Sequence, residues 1–108
     1  MVLAYELFLK YFEPTHKTHD DSIYKLLKWT DSKASLIELI YALNESGAIN
    51  DGKTDIKTIC AEFERIFNFE LKDVYSTYRD ISLRKTNRTK FLSKLSEAFE
   101  DRVLRSDE

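Results

Sequence analysis

The side chains of this sequence that could do chemistry are basic and lie in one stretch, residues 79–94. That stretch holds six lysines and arginines and one acidic residue, Asp80, so its net charge is +5. The whole chain totals −2, which leaves −7 for the remainder. A basic surface on an acidic protein is typical of phosphate binding with release of counterions. The stretch therefore predicts contacts to the phosphates of double-stranded DNA from Arg79, Arg84, Lys85, Arg88, Lys90 and Lys94.

Sequence-specific recognition of DNA also needs polar side chains at the base edges. Ser76, Arg79 and Asn87 are the candidates, because they lie within or next to the basic stretch. The alternative is that the basic residues form a solvated link between helices and only keep the protein soluble. In that case the chain would be a helical module that binds another protein and not DNA.

No other group of residues predicts catalysis or metal binding. His16 and His19 share one polar loop with two aspartates, but no further Cys or His completes a set of three or four metal ligands. Cys60 lies on an apolar helix face without a neighbouring base, so we expect a core thiol and not a nucleophile. There is no glycine-rich phosphate loop. We therefore expect no enzymatic activity, no metal and no cofactor.

The composition predicts one small helical domain. The chain has 108 residues and a mass of 12.8 kDa, which is enough for a single hydrophobic core. Hydrophobic residues make up 43% and charged residues 33%, while two glycines and one proline leave few turns for a β-rich fold. No apolar run is long enough to cross a bilayer, and the first residues do not resemble a secretory leader. We expect a cytoplasmic protein that does not bind membranes.

Residues 30–50 predict the central helix on which the others pack. Thr30 or Ser32 can cap its first turn, and Gly47 can adopt the left-handed conformation that ends many helices. Between these caps the apolar residues form a stripe too broad for a helix that packs on one side only. We therefore expect neighbours on two sides of the stripe, which consists of Leu36, Ile37, Leu39, Ile40 and Leu43.

Three further helices are predicted after the central one. Residues 48–53 predict a short extended piece and a turn, where a small strand pair could form. Thr54 or Asp55 then caps a second helix, and Asp73 caps a third. Apolar residues at helical spacing predict a buried face on each helix. These faces are Ile56, Ile59, Cys60, Phe63, Ile66 and Phe67 on the second helix, Val74, Tyr75, Tyr78 and Ile81 on the third, and Phe91, Leu92, Leu95, Ala98, Phe99 and Val103 on the last.

This order of helices predicts a mainly α fold of the helix-turn-helix or winged-helix type, with at most a minimal β element. The second helix would support the third, and the basic link, residues 83–89, would connect the third helix to the last. The predicted domain spans residues 22–104.

A separate leading helix is predicted within residues 1–14, from Leu3 to Phe12, and Pro14 ends it. This helix is apolar nearly all round, and a helix of that kind is normally enclosed. We expect residues 3–12 to bury one face against their own domain. The other face, with Tyr5 and Leu9, would contact a second copy in a homodimer or a further N-terminal domain.

The helical stretches together resemble the RteC proteins, regulators of Bacteroides-type conjugative transposons. The resemblance covers about residues 26–102 and lies in KWTDSKASLIELIYALNESGAIN, DIKTICAEFERIFNFEL and VYSTYRDISLRKTNRTKFLSKL. It involves the C-terminal part of the family, and we expect the family's N-terminal domain to be missing from this sequence. The resemblance implies a domain of winged-helix character that binds DNA near an excision-operon promoter and links tetracycline induction to mobilisation of the element. Within the basic stretch, the residues that match the family's sequence pattern are Ser82, Arg84, Lys85, Arg88, Thr89, Lys90 and Phe91.

Overall fold

The first described helix is the predicted central one. The computed structural model describes residues 27–106, so the residues of the predicted leading helix and both histidines lie outside the described residues. Helix α1 spans Lys33–Ser46. The Ser32 side chain accepts a hydrogen bond from the Ser35 amide at its start, and Gly47 ends it with a φ of 79°. A φ in this left-handed region carries a steric cost for residues with a Cβ atom, which glycine avoids. Both predicted ends are confirmed.

A single 3-10 turn, Asn50–Gly52, follows α1 in place of the strand pair that the sequence allowed. The φ angles of Asn50, Asp51 and Gly52 are 48°, 57° and 76°. Three successive positive φ angles curl the backbone tightly and prevent it from extending. Residues 27–106 contain no strand, so the β wing of a winged helix is not formed there, while the mainly α fold is confirmed.

The remaining described helices are α2 at Ile56–Phe67, α3 at Val74–Ser82 and α4 at Lys90–Ser106. The Asp55 side chain caps α2 by accepting from the Thr58 amide at 2.8 Å. Asp73 precedes α3 with a φ of 53°, but its side chain makes no capping hydrogen bond. All three helices pack on α1, and the predicted helix-turn-helix pair, α2 and α3, contact each other little. The support for α3 therefore comes mainly from α1.

The core is the broad stripe of α1 together with one or two residues from each neighbour. Leu36, Ile37 and Ile40 are completely buried, as predicted, whereas Leu39 and Leu43 are half-buried. The other buried apolar residues are Ile59 and Cys60 of α2, Leu71 just before α3, Ile81 of α3 and Phe91 of α4. Burial raises the pKa of the Cys60 thiol, and the charge of Glu64 raises it further. Both effects disfavour the thiolate, which is the nucleophilic form.

Several residues predicted to face inward are exposed. Ile66 on α2 is exposed, and so are Tyr75 and Tyr78 on α3. One face of the Tyr78 ring stacks on Tyr41, with ring centroids 4.1 Å apart. The largest departure is α4, where Phe91 is buried and Leu92 half-buried but Leu95, Ala98, Phe99 and Val103 are exposed. Only the first turn of α4 meets the core, because the helix then extends away from α1. Helical periodicity indicates an apolar face but does not show what covers it.

Candidate nucleic-acid interface

The basic link between α3 and α4 has a defined backbone conformation. Asn87 has a φ of 61°, a left-handed conformation that Asn adopts more readily than most residues. Its carbonyl oxygen accepts from the Lys90 amide at 3.3 Å and from Nη1 of Arg84 at 3.2 Å. The Arg84 amide also donates to the carbonyl of Ile81 at 3.1 Å. These hydrogen bonds connect the link to the helices on both sides of it.

A carboxylate from the centre of the domain fixes the start of α4. Glu38 of α1 is buried, and its two carboxylate oxygens accept from the backbone amides of Phe91 at 3.3 Å and Leu92 at 2.9 Å. The first amides of a helix have no partner within the helix and attract negative charge. Glu38 therefore caps α4 from another helix. It also occupies the position where the α4 terminus could otherwise bind a phosphate.

Three of the predicted basic residues lie together around a groove of about 360 Å³. Arg84, Lys90 and Lys94 line it from the link and from α4. Two acidic residues, Asp31 and Glu38, line the same groove, so its net charge is much lower than the stretch 79–94 suggested. The rest of the lining is Ser32, Ala34, Ser35 and Phe91.

Lys94 is paired with an acidic residue. Its Nζ lies 2.9 Å from Oδ2 of Asp31, while Oδ1 of Asp31 accepts from the Ser32 amide at 2.6 Å and from the Ser35 hydroxyl at 2.9 Å. The hydrogen bond from Lys94, followed by those from Ser32 and Ser35, lowers the pKa of Asp31 to about 2. Each of these bonds favours the charged carboxylate. The positive charge of Lys94 is thus largely balanced within the protein.

Titration of Asp31 tests this arrangement. We expect the carboxyl pKa of Asp31, measured by NMR, to be about 2 in the unmodified protein and to rise toward the ordinary 3.8 in Lys94→Met. Because the folded-state pKa is depressed, the ion pair contributes to stability above pH 4, and this contribution is lost as the pH falls toward 2. As a control, Lys53→Met removes an exposed lysine elsewhere and should leave the Asp31 midpoint in place. An Asp31 pKa near 3.8 in both proteins would contradict the pairing.

The other predicted DNA contacts are exposed but are not gathered around this groove. Lys85 and Arg88 are exposed, and within residues 27–106 they, like Lys90 in the groove, have no acidic partner at ion-pair distance. Ser76 and Arg79 lie on the exposed side of α3, three residues apart. Residues with that spacing are neighbours on a helix surface. The predicted residues therefore form two groups, one in the link with the start of α4 and one on α3.

Sequence reasoning missed Glu38 and Asp31, which shape the site although neither is basic. A signal for Glu38 was present, because it is a charged residue between Ile37 and Leu39 in the most apolar stripe of the chain. A charge in such a position requires a buried partner. Its partners lie 53 and 54 residues further along the chain, so local patterns could not identify them.

The chain matches a known protein family over nearly its whole length. The family model described as RteC protein matches residues 1–107, a longer span than the residues 26–102 on which the resemblance was based. Comparisons with curated proteins and with solved structures give no significant match. Among the described residues, none of the helices is both long and apolar enough to span a membrane.

Proposed function

This chain belongs to the RteC family, and from that membership and the basic link we propose that it is a DNA-binding transcription regulator. The genes under its control would be those for excision and mobilisation of a tetracycline-resistance conjugative element. Its proposed partner is double-stranded DNA in a promoter region, and its proposed location is the cytoplasm. Under this proposal the protein is not an enzyme.

One observation carries the proposal: exposed cations project from a link that is attached to the core. Lys85 and Arg88 lie in the link and Lys90 opens α4. Arg84 and Asn87 hold the link through the hydrogen bonds at the Asn87 carbonyl, and Glu38 holds the first turn of α4. A preorganised basic surface loses less conformational entropy on binding than a mobile one. These features support a phosphate-binding surface.

The roles of the residues follow from their positions. Lys85, Arg88 and Lys90 would contact phosphates, whereas Arg84 would mainly position the link and Lys94 would mainly pair with Asp31. Ser76 and Arg79 on α3, with the Asn87 side chain, remain the candidates for base edges. Phosphate contacts would supply affinity for any duplex, and the second group would supply preference for one sequence.

We predict that replacing Lys85, Arg88 and Lys90 together by alanine weakens binding to every duplex and flattens its salt dependence. Each lost phosphate contact reduces the magnitude of the negative slope of log K against log salt by about 0.9, so the three together reduce it by about 2.7. Fluorescence anisotropy with labelled duplexes at several salt concentrations measures both quantities. Arg84 is kept, because its removal would disturb the link itself.

The matched control is Lys53→Ala, Lys57→Ala and Lys72→Ala, which removes the same charge from exposed positions elsewhere. A general effect of net charge would appear equally in both triple variants. If the link variant kept the affinity and the slope of the unmodified protein, Lys85, Arg88 and Lys90 would not be the phosphate contacts.

A second candidate function is a helical module that binds another protein. The observation that favours it is a groove of about 500 Å³, where Tyr75 of α3 is 69% exposed beside Tyr41, Ile56 and Val74. Exposed aromatic residues beside apolar grooves are common in protein interfaces. The same duplex titration separates the two candidates, since this module would not bind DNA.

A further inference from the structure

Asp31 lies between two helices and makes three hydrogen bonds through its carboxylate oxygens. Oδ1 accepts from the Ser32 amide and the Ser35 hydroxyl at the start of α1. Oδ2 accepts from Nζ of Lys94 on α4. The bond from Lys94 and those to Oδ1 lower the pKa of Asp31 to about 2, so the carboxylate stays charged across the physiological pH range. Lys94 therefore always faces a fixed negative charge.

Lys94 is otherwise well placed to contact a phosphate. It follows Lys90 by four residues on α4, so the two side chains are neighbours on the helix surface. Both line the groove at the end of the basic link, together with Arg84. The Lys94 side chain is 68% exposed, and that of Asp31 is 31% exposed. A phosphate that approaches from solvent can therefore reach the ammonium group.

Among residues 27–106, Asp31 is the one acidic residue within ion-pair distance of Lys94. Glu38, the other carboxylate of the groove, accepts instead from the backbone amides of Phe91 and Leu92. The two carboxylates thus have separate partners. Removing the charge of Asp31 would free Lys94 and leave the cap of α4 in place.

The ion pair changes what Lys94 can contribute to DNA affinity. A lysine gains affinity by neutralising a phosphate and releasing a counterion. If Lys94 left Asp31 for a phosphate, the unpaired carboxylate would attract a cation in turn and would repel the nearby phosphates, so the net gain would be small. Exposed ion pairs are weak in water, but Asp31 is in the same molecule as Lys94 and so competes at a high effective concentration.

We propose that Asp31 competes with DNA phosphate for Lys94 and thereby limits the affinity of the basic link for duplexes. The three phosphate contacts of the link bind without Lys94, which joins them only when the negative charge of Asp31 is removed. This inference rests on the proposed DNA binding, whose own phosphate contacts do not include Lys94.

Asp31→Asn tests the proposal, because it removes the charge and keeps a side-chain oxygen that can accept from Ser32 and Ser35. Fluorescence anisotropy with labelled duplexes should give a slope of log K against log salt that is steeper by about 0.9, since one phosphate contact is gained. The affinity for every duplex should rise by about tenfold at low salt. Circular dichroism shows whether the variant keeps its helices. If it does not, Asp31→Ser, which also lacks the charge, takes its place.

Two further proteins identify the cause of the gain. Adding Lys94→Met to Asp31→Asn should return the slope to that of the unmodified protein, because the freed ammonium group is then absent. Glu62→Gln is the matched control, since Glu62 is the acidic partner of an exposed ion pair with Arg65 on α2, outside the basic stretch. It removes the same negative charge and should leave the slope unchanged.

The outcomes separate this inference from the proposed function. Duplex binding with an unchanged slope in Asp31→Asn would overturn the inference and leave the proposed DNA binding intact. A steeper slope that persists when Lys94→Met is added would also overturn it, because the gain would then come from the lost charge of Asp31 alone. Absence of duplex binding in the unmodified protein and in every variant would overturn both proposals together.

Discussion

Replacing Ile40 by alanine is expected to destabilise the protein by about 2–5 kcal/mol, through lost burial and an unfilled cavity. Ile40 is completely buried on α1, the helix on which α2, α3 and α4 all pack. A cavity there weakens the core shared by all four helices, so the local structure has few ways to collapse around it. Chemical denaturation followed by circular dichroism measures the loss.

Leu43→Ala on the same helix is the matched control for Ile40→Ala. Leu43 is half-buried, so its truncation removes less buried surface and should cost less than that of Ile40. Equal losses at the two positions would contradict the burial pattern of α1. Small losses at both would mean that the stripe on α1 is not the core.

Replacing Glu38 by alanine is expected to destabilise the protein by about 1–3 kcal/mol, since it leaves buried donors unsatisfied. The amides of Phe91 and Leu92 would lose their acceptors, and the first turn of α4 would separate more readily from α1. Glu38→Gln keeps one acceptor oxygen and should recover part of the loss. Native-state hydrogen exchange at residues 91–94 would show the local effect.

Glu45→Ala is a suitable control for the Glu38 variants, because Glu45 is an exposed glutamate on the same helix. We expect it to change the free energy of unfolding by less than about 0.5 kcal/mol. If Glu38→Ala were as mild as Glu45→Ala, the carboxylate of Glu38 would not be the cap of α4. The first turn of α4, where the basic link ends, would then lack its hydrogen bonds to α1.

The parts of the fold that the sequence predicts are those determined by neighbouring residues. The side chains of Ser32 and Asp55 each accept a hydrogen bond from an amide three residues further along the chain. Gly47 ends α1 because glycine readily adopts the left-handed conformation. Each of these capping signals involves only residues within one helical turn of each other. The stripe that contains Leu36 and Ile40 was identifiable for a similar reason, because its period is local.

The parts that the sequence does not predict depend on distant residues. Glu38 and Phe91 are 53 residues apart, and Asp31 and Lys94 are 63 apart, yet both pairs determine the charge and position of the basic link. The net charge of the stretch 79–94 could be counted, but its partial neutralisation by Asp31 and Glu38 could not. Likewise, the helical period of α4 indicates an apolar face that includes Phe99, but it does not indicate what packs against that face.

Titration of the unmodified protein with duplex DNA at several salt concentrations tests the central claim most directly. If Lys85, Arg88 and Lys90 contact phosphates, affinity should fall as salt rises. The slope of log K against log salt should be about −2.7 or steeper. Duplex from an excision-gene promoter should bind more tightly than a scrambled duplex of equal length. Absence of binding to either duplex at low salt would contradict the account and favour the protein-binding module.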